Sequence, residues 1–189
     1  MTSAARPDIP LFGGPFHFLR HGETVANRAG TIAGHLDSPL TELGRRQARD
    51  AGSALAGAGI RRIWTSSLSR AHETAAIVAE PLGVEVTVLA GLRERAWGAW
   101  EGQPRAVLVR SATPEGGEGP DAFRGRVLAA LAETAGPWPA LIVAHSGVYR
   151  VLHETLLGVP AGPSVPNGVP MRFVPADDLG AWRMEPTGR

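Results

Sequence analysis

Two short apolar runs, each delivering a histidine and then a glycine, constrain this chain more than any other feature. Phe16 to Leu19 leads into Arg20-His21-Gly22-Glu23-Thr24, and Leu141 to Ala144 leads into His145-Ser146-Gly147. Apolar runs of this length bounded by turn residues read as buried strands. As parallel strands of one sheet, both would release their imidazoles at the same edge, where open α/β sheets bind ligands. Two histidines far apart in sequence would then form one site.

The rest of the chain continues an alternation of strand and helix. After the first strand, about twenty residues ending at Pro39 read as a glycine-containing loop. Thr41 is a candidate N-cap for a helix in which Leu43, Ala48, Ala51, Leu55 and Ala58 share one face, with Arg45, Arg46 and Arg49 opposite. Arg62 to Thr65 predicts a short strand, Ser69 to Glu80 a helix stopped by Pro81 and Gly83, and Val84 to Leu89 another strand. Asp121 is placed to cap a helix carrying Phe123, Val127, Leu128, Leu131 and Ala135, which Gly136-Pro137 breaks. The strand Ala140 to Ala144, a helix from Val148 to Leu157, and a final hairpin or edge pair at Met171 to Val174 and Ala181 to Met184 complete the pattern. The expected fold class is α/β, a three-layer α/β/α sandwich on a mainly parallel central sheet.

A length of 189 residues suits one hydrophobic core. Residues 1–15, with Pro7, Asp8, Pro10 and Pro15, read as a flexible N-terminal tail, and residues 16–189 as a single domain. Within it, Gln103 to Pro120 holds three prolines and Gly116, Gly117 and Gly119, the composition of a short lid.

Absent residue types narrow the chemistry. Without cysteine there are no disulfides, thiolate metal sites or cysteinyl-phosphate intermediates. All 19 basic residues are arginine, which excludes lysine Schiff bases and the P-loop lysine. A net charge of +1 with 43% apolar residues indicates neither disorder nor a nucleic-acid surface, so the expected partner is a small molecule. No segment approaches the roughly 18 apolar residues of a membrane helix, and the first 15 residues show no signal-peptide core. The expectation is a cytoplasmic protein without membrane contact; oligomeric state is left open.

Phosphoryl transfer needs cations matched to equatorial oxygens, an in-line nucleophile and an acid for the leaving oxygen. The guanidinium forks of Arg20 and Arg70 can reach one sheet edge and bind phosphate in bidentate fashion. A neutral imidazole can attack phosphorus and form a phosphoramidate that water later cleaves. His21, held by the Gly22 turn, is the candidate nucleophile. No metal or other cofactor is called for.

The motifs resemble those of the histidine phosphatase superfamily, also called the phosphoglycerate mutase-like family. The resemblance rests on Leu19-Arg20-His21-Gly22-Glu23-Thr24 with Asn27, Asp37 and Leu40-Thr41-x-x-Gly44, and on Ser66-Ser67-Leu68-x-Arg70-Ala71-x-x-Thr74-Ala75. Leu92-x-Glu94, Gly98-x-Trp100-Glu101-Gly102, Ala144-His145-x-Gly147-Val148 and Asn167-Gly168 follow in order. It implies a phosphohistidine mechanism with His21 as nucleophile. Arg20, Arg70 and His145 would bind the phosphoryl group, and Asn27 would contact phosphate or substrate. Glu94 matches the family's proton donor and would later act as base toward water.

The sequence also departs from the family pattern. Ser146 follows the second histidine where Gly is frequent, and Gly119 replaces a Ser or Thr after Gly117-Glu118. The mutases' Trp-rich stretch and longer insertion are missing. A shorter lid admits water to the phosphoenzyme, so hydrolysis of a small phosphorylated metabolite is expected. The alternatives are a mutase-type phosphotransferase, a protein-phosphohistidine phosphatase and a non-catalytic phosphate-binding regulatory module. A metallophosphatase is disfavoured by the lack of an Asp-x-Asp motif. For Glu94 the plain alternative is a surface ion pair with Arg93 or Arg95. His17 is expected to pack beneath the site, and His35, His72 and His153 are assigned no function. His35-x-Asp37 lacks a third metal ligand, and the tryptophans are assigned to packing.

Overall fold

The computed structural model describes residues 7–162, 164–176 and 180–187. Six strands form one sheet: β1 (Phe16–Arg20), β2 (Arg62–Ser66), β3 (Val86–Leu89), β4 (Ala140–Ala144), β5 (Pro170–Pro175) and β6 (Trp182–Pro186). Their spatial order is β3-β2-β4-β1-β5-β6. The first four are mutually parallel, while β5 runs antiparallel to β1 and β6 antiparallel to β5, so the C-terminal pair expected as a hairpin or edge strands closes one side of the sheet.

Side-chain alternation divides the interior into two cores. Phe16 and Phe18 of β1 and Ala140, Ile142 and Ala144 of β4 face the core that includes Phe123, Val127, Val148 and Leu152. Leu19, Leu141 and Val143 face the other, with Leu55, Ala75 and Val78. The helices α2 (Glu42–Leu55) and α3 (Ser69–Leu82) cover this second face, and α4 (Pro120–Ala132) and α5 (Ser146–Leu157) cover the first. This is the expected three-layer α/β/α arrangement. Both faces of β1 and β4 are buried, which explains their uninterrupted apolar runs.

Several local expectations are corrected. The described part of the N-terminal stretch is not loose: Ile9 and Leu11 are buried, and Pro10–Gly13 forms a 3₁₀ turn. Two apolar side chains among the prolines suffice to dock it, and the Trp138 indole donates to the Leu11 carbonyl at 3.2 Å. Residues 1–6 of that stretch lie outside the described residues. The expected loop after β1 contains a short helix, α1 (Val25–Ala29), with no buried residue and hence no apolar period to read. Thr24 caps it, reciprocally with Asn27, and Gly30 ends it at φ 69°.

Helix α3 runs through Pro81 to Leu82 before Gly83 stops it. A proline in the last turn removes only one of the final hydrogen bonds, a cost that packing can carry. Asp121 does not cap α4; Gly119 does, with Pro120 in the first helical position. In α2 the buried face is Gly44, Ala48, Ala51, Gly52 and Leu55, while Leu43 is exposed. Small residues let α2 approach the turn after β1 closely. A methyl group on Gly44 would strike the Glu23 carbonyl oxygen, and one on Gly22 would strike the Gly44 carbonyl oxygen. The backbone after His21 is thereby clamped between strand and helix. No helix among the described residues is long and apolar enough to cross a membrane.

Candidate active site

Strand register assembles the site. Arg20 is level with Ala144, so His21 and His145 lie one residue beyond two neighbouring parallel strands. The His21 amide donates to the Ala144 carbonyl at 3.0 Å. Their ring centroids are 5.1 Å apart with planes at 60°. Ser66, ending β2 on the far side of β4, lies 2.8 Å from His145 Nε2.

Hydrogen bonding assigns the His21 tautomer. His21 Nδ1 lies 2.8 Å from the Gly22 carbonyl, which can only accept, so Nδ1 carries the proton and Nε2 keeps a lone pair. Ser66 Oγ accepts from the Leu68 amide at 3.2 Å and keeps both its hydrogen and a second lone pair for His145 Nε2. His145 Nδ1 is buried and has no partner among the described residues.

Two buried guanidinium groups complete the floor. One nitrogen of Arg20, Nη1, donates to the Val165 carbonyl at 2.9 Å and to Ser164 Oγ at 3.2 Å, leaving Nε buried and without a partner among the described residues. Arg70, 1% exposed, donates to the Gly34 and Leu36 carbonyls at 2.7 and 3.1 Å. Both line a cavity of about 360 Å³ together with His21, Asn27, Glu94 and Ser146. An unpaired buried donor such as Arg20 Nε is costly unless a ligand satisfies it.

Electrostatics follow from this crowding. Burial, then the charges of Arg70 and Arg20, holds the His21 imidazole well below its usual range. The same forces, with His21 adding to them, act on His145. Both rings are neutral at physiological pH. Burial lowers the Arg20 guanidinium to about 10, with Arg105 the next cause, and it stays charged near neutrality.

Glu94 is not engaged in the surface ion pair that its flanking arginines suggested. Its Oε2 accepts from the Gly147 amide at 3.1 Å and from Ser146 Oγ at 3.3 Å, and its Oε1 accepts from the Arg95 amide at 2.9 Å. A methyl group on Gly147 would collide with this carboxylate, so the glycine after Ser146 makes room for it. Arg93 instead donates to Ser67 Oγ. The Glu94 carbonyl accepts from His35 Nε2 at 2.7 Å and from Arg126 at 3.3 Å, and Arg126 also grips Glu118 through two bonds of 2.7 and 2.6 Å. His35 thus supports Glu94's backbone, a connection that a lone loop histidine gives no means of foreseeing. His17, 2% exposed, contacts Thr187 Oγ1 and lies within the sheet, away from the cavity lining.

Asn27 reaches the cavity, but its Oδ1 is already committed to the Thr24 amide at 3.3 Å and the Asn167 Nδ2 at 3.0 Å. Asn167 Nδ2 also donates to the His21 carbonyl at 2.8 Å, while the Gly168 amide donates to the Arg20 carbonyl at 3.0 Å. The Asn167-Gly168 turn therefore buttresses the backbone on which Arg20 and His21 stand. Its signal was present in sequence only as a dipeptide motif.

With this geometry in place, comparison with known proteins is informative. The profile of the histidine phosphatase superfamily (branch 1) matches residues 16–164. The chain belongs to the histidine phosphatase superfamily. Adenosylcobalamin/alpha-ribazole phosphatase of Salmonella typhimurium is 36% identical over 160 residues, 76% of this chain and 79% of the relative. Probable phosphoglycerate mutase GpmB of Yersinia enterocolitica is 36% identical over 163 residues, covering 75% and 74%. Among solved structures, mycobacterial glucosyl-3-phosphoglycerate phosphatase in complex with VO3 superposes with a TM-score of 0.76 at 28% identity, over 93% of this chain and 99% of that one. This histidine phosphatase thus has named phosphatases among its relatives in both sequence and fold.

Buried neutral imidazoles make stability depend on pH in a defined direction. In the unfolded chain a histidine gains its proton near 6.5, whereas burial and Arg172 lower folded His17 to about 4, and His21 and His145 are lowered too. The unfolded state then binds more protons below 6.5, so stability is complete above that pH and falls as pH drops toward the folded values. His17 alone should cost about 2 kcal/mol at pH 5. Melting temperatures measured from pH 7.5 to 5 should decline, and His17→Gln should decline less steeply than the parent. A flat profile, or an identical slope in the variant, would contradict the burial of a neutral ring.

Proposed function

We propose that this histidine phosphatase hydrolyses a small phosphomonoester without metal, through a phosphohistidine on His21. One observation carries the reading: His21, whose Nε2 keeps a lone pair, lines a cavity with Arg20 and Arg70, and its ring lies 5.1 Å from that of His145, whose buried Nδ1 has no partner among the described residues. Named phosphatases among the relatives support the reaction class.

The steps use only this chain's side chains. His21 Nε2 attacks phosphorus as the bond to the ester oxygen breaks. Arg20, Arg70 and the His145 ring receive the equatorial oxygens as charge develops there. Glu94, as its acid form, gives a proton to the leaving oxygen. The Nδ1–H bond to the Gly22 carbonyl stabilises the positive ring of the phosphohistidine. The Glu94 carboxylate then takes a proton from water as the water oxygen attacks phosphorus. Phosphate leaves and His21 is regenerated. Asn27 orients phosphate or substrate from the cavity wall.

Residues 103–120 serve as a short lid. Arg105, Leu108 and Arg110 reach the cavity from it, and most of its residues are exposed. So open a cover favours hydrolysis over return of the phosphoryl group to a bound product.

Two experiments test this reading. Quenched reactions with a ³²P-labelled ester in excess EDTA should trap an acid-labile phosphoprotein in the parent and none in His21→Ala, which should also lack turnover. Retained turnover in that variant, or activity that EDTA removes and Mg²⁺ restores, would overturn it. Glu94→Gln should slow alkyl phosphate hydrolysis by about 10²-fold or more, and p-nitrophenyl phosphate far less, because the nitrophenolate needs no proton. Equal losses on both esters would remove Glu94 as the acid.

A further inference from the structure

The backbone of Glu94 is met by a loop that comes from far away in the chain. Residues 34–36 are held from several sides: the Gly34 and Leu36 carbonyls accept from Arg70 at 2.7 and 3.1 Å, and the Leu36 amide donates to the Ala33 carbonyl at 2.8 Å. Between them, the His35 amide donates to Glu101 Oε1 at 2.8 Å, and the same oxygen accepts from the Trp97 amide at 2.9 Å. Space is as tight as the bonding, since a methyl group on Gly34 would strike the Glu101 carboxylate. The His35 side chain therefore projects from a fixed base.

That side chain places Nε2 at 2.7 Å from the Glu94 carbonyl oxygen, which can only accept, so Nε2 carries a proton. Arg126 reaches the same oxygen at 3.3 Å, a longer contact from a guanidinium whose bonds of 2.7 and 2.6 Å go to Glu118. The peptide between Glu94 and Arg95 is trans, so its N–H points away from its carbonyl. This N–H donates to Glu94 Oε1 at 2.9 Å. One rigid plane thus takes a hydrogen bond from His35 on one side and gives one to the carboxylate of Glu94 on the other. A donor on the carbonyl also polarises the N–H toward its acceptor. The second oxygen, Oε2, is held from α5 by the Gly147 amide and the Ser146 hydroxyl.

We propose that His35 is a positioning residue for proton transfer: by fixing the peptide plane between Glu94 and Arg95, it holds the Glu94 carboxylate at the angle from which it serves the leaving oxygen. His35 is not among the residues that line the cavity, and its effect travels through that one peptide group. Without the imidazole N–H the plane is freer to rotate, and the Arg95 amide loses its alignment with Oε1. Arg70 keeps its partners, because the Gly34 and Leu36 carbonyls belong to the backbone. This inference rests on the reading of Glu94 as the acid, and it concerns what keeps that acid aimed.

The test is kcat/KM for two esters, a ratio that reports the steps through departure of the leaving group and leaves out hydrolysis of the phosphoenzyme. Glycerol 3-phosphate needs a proton on its leaving oxygen, and p-nitrophenyl phosphate does not. His35→Ala should lower kcat/KM for glycerol 3-phosphate by about fivefold to tenfold, the rate equivalent of one hydrogen bond, and for p-nitrophenyl phosphate by less than about twofold. A glutamine amide puts its nitrogen near the place of Nε2, whereas an asparagine amide falls short. His35→Gln should therefore restore the glycerol 3-phosphate rate and His35→Asn should not, a comparison that stands even where the alanine variant folds poorly. The selective loss should also vanish when His35→Ala is combined with Glu94→Gln. No loss, equal losses on both esters, rescue by asparagine as fully as by glutamine, or a selective loss that persists beside Glu94→Gln would overturn the positioning role and leave the acid reading intact. Glu94→Gln without a selective loss of its own would overturn the acid reading, and this inference with it.

Discussion

The hydrogen bond from the His21 amide to the Ala144 carbonyl carries the β1–β4 ladder one residue past the last strand position. Parallel pairing leaves no choice about what happens next. Once Phe16 is level with Ala140, the residues that end both strands are level too, and the histidines that follow must be neighbours. Ser66 at the end of β2 and the turn at Asn167-Gly168 then find their partners within the same layer. A slip of one residue would turn every core side chain to the wrong face and separate the rings at once. Core packing and site geometry are therefore enforced by the same register.

Concentrated positive charge is the second organising constraint. Two guanidinium groups and two imidazoles share a buried space, and the imidazoles respond by staying neutral. Neutrality leaves His21 a defined lone pair on Nε2, because its Nδ1–H is held by the Gly22 carbonyl. The arginines cannot respond in that way, since even a lowered guanidinium remains charged near neutral pH. Their backbone carbonyl partners hold the forks in place without cancelling the charge, which leaves the pocket attractive to a dianion.

Around this floor the wall bearing Glu94 is built from contacts distant in sequence. His35, Arg126 and Gly147 fix the backbone and carboxylate of Glu94, and Arg95 fastens the segment 110–118 through three carbonyls. Chain segments with little regular structure of their own are thus ordered by buried arginine donors. A protein lacking lysine has this option at many positions, because the planar fork satisfies several carbonyls from one side chain.

The amino-acid sequence by itself determined the apolar runs ending in His21 and His145, the alternation of strands with helices, and the residue types of the cavity floor. These are local properties, visible as period, capping and turn chemistry. Tertiary structure alone decided which α2 face is buried, that Ile9 and Leu11 dock, and that Asn27 spends its side-chain oxygen on a cap and on Asn167. It also made supports of the site from His35, to which the sequence alone assigns no function, and from Arg95. Each of these depends on which polar groups meet across folded distances, and partners brought together by strand register leave no periodic trace in the chain.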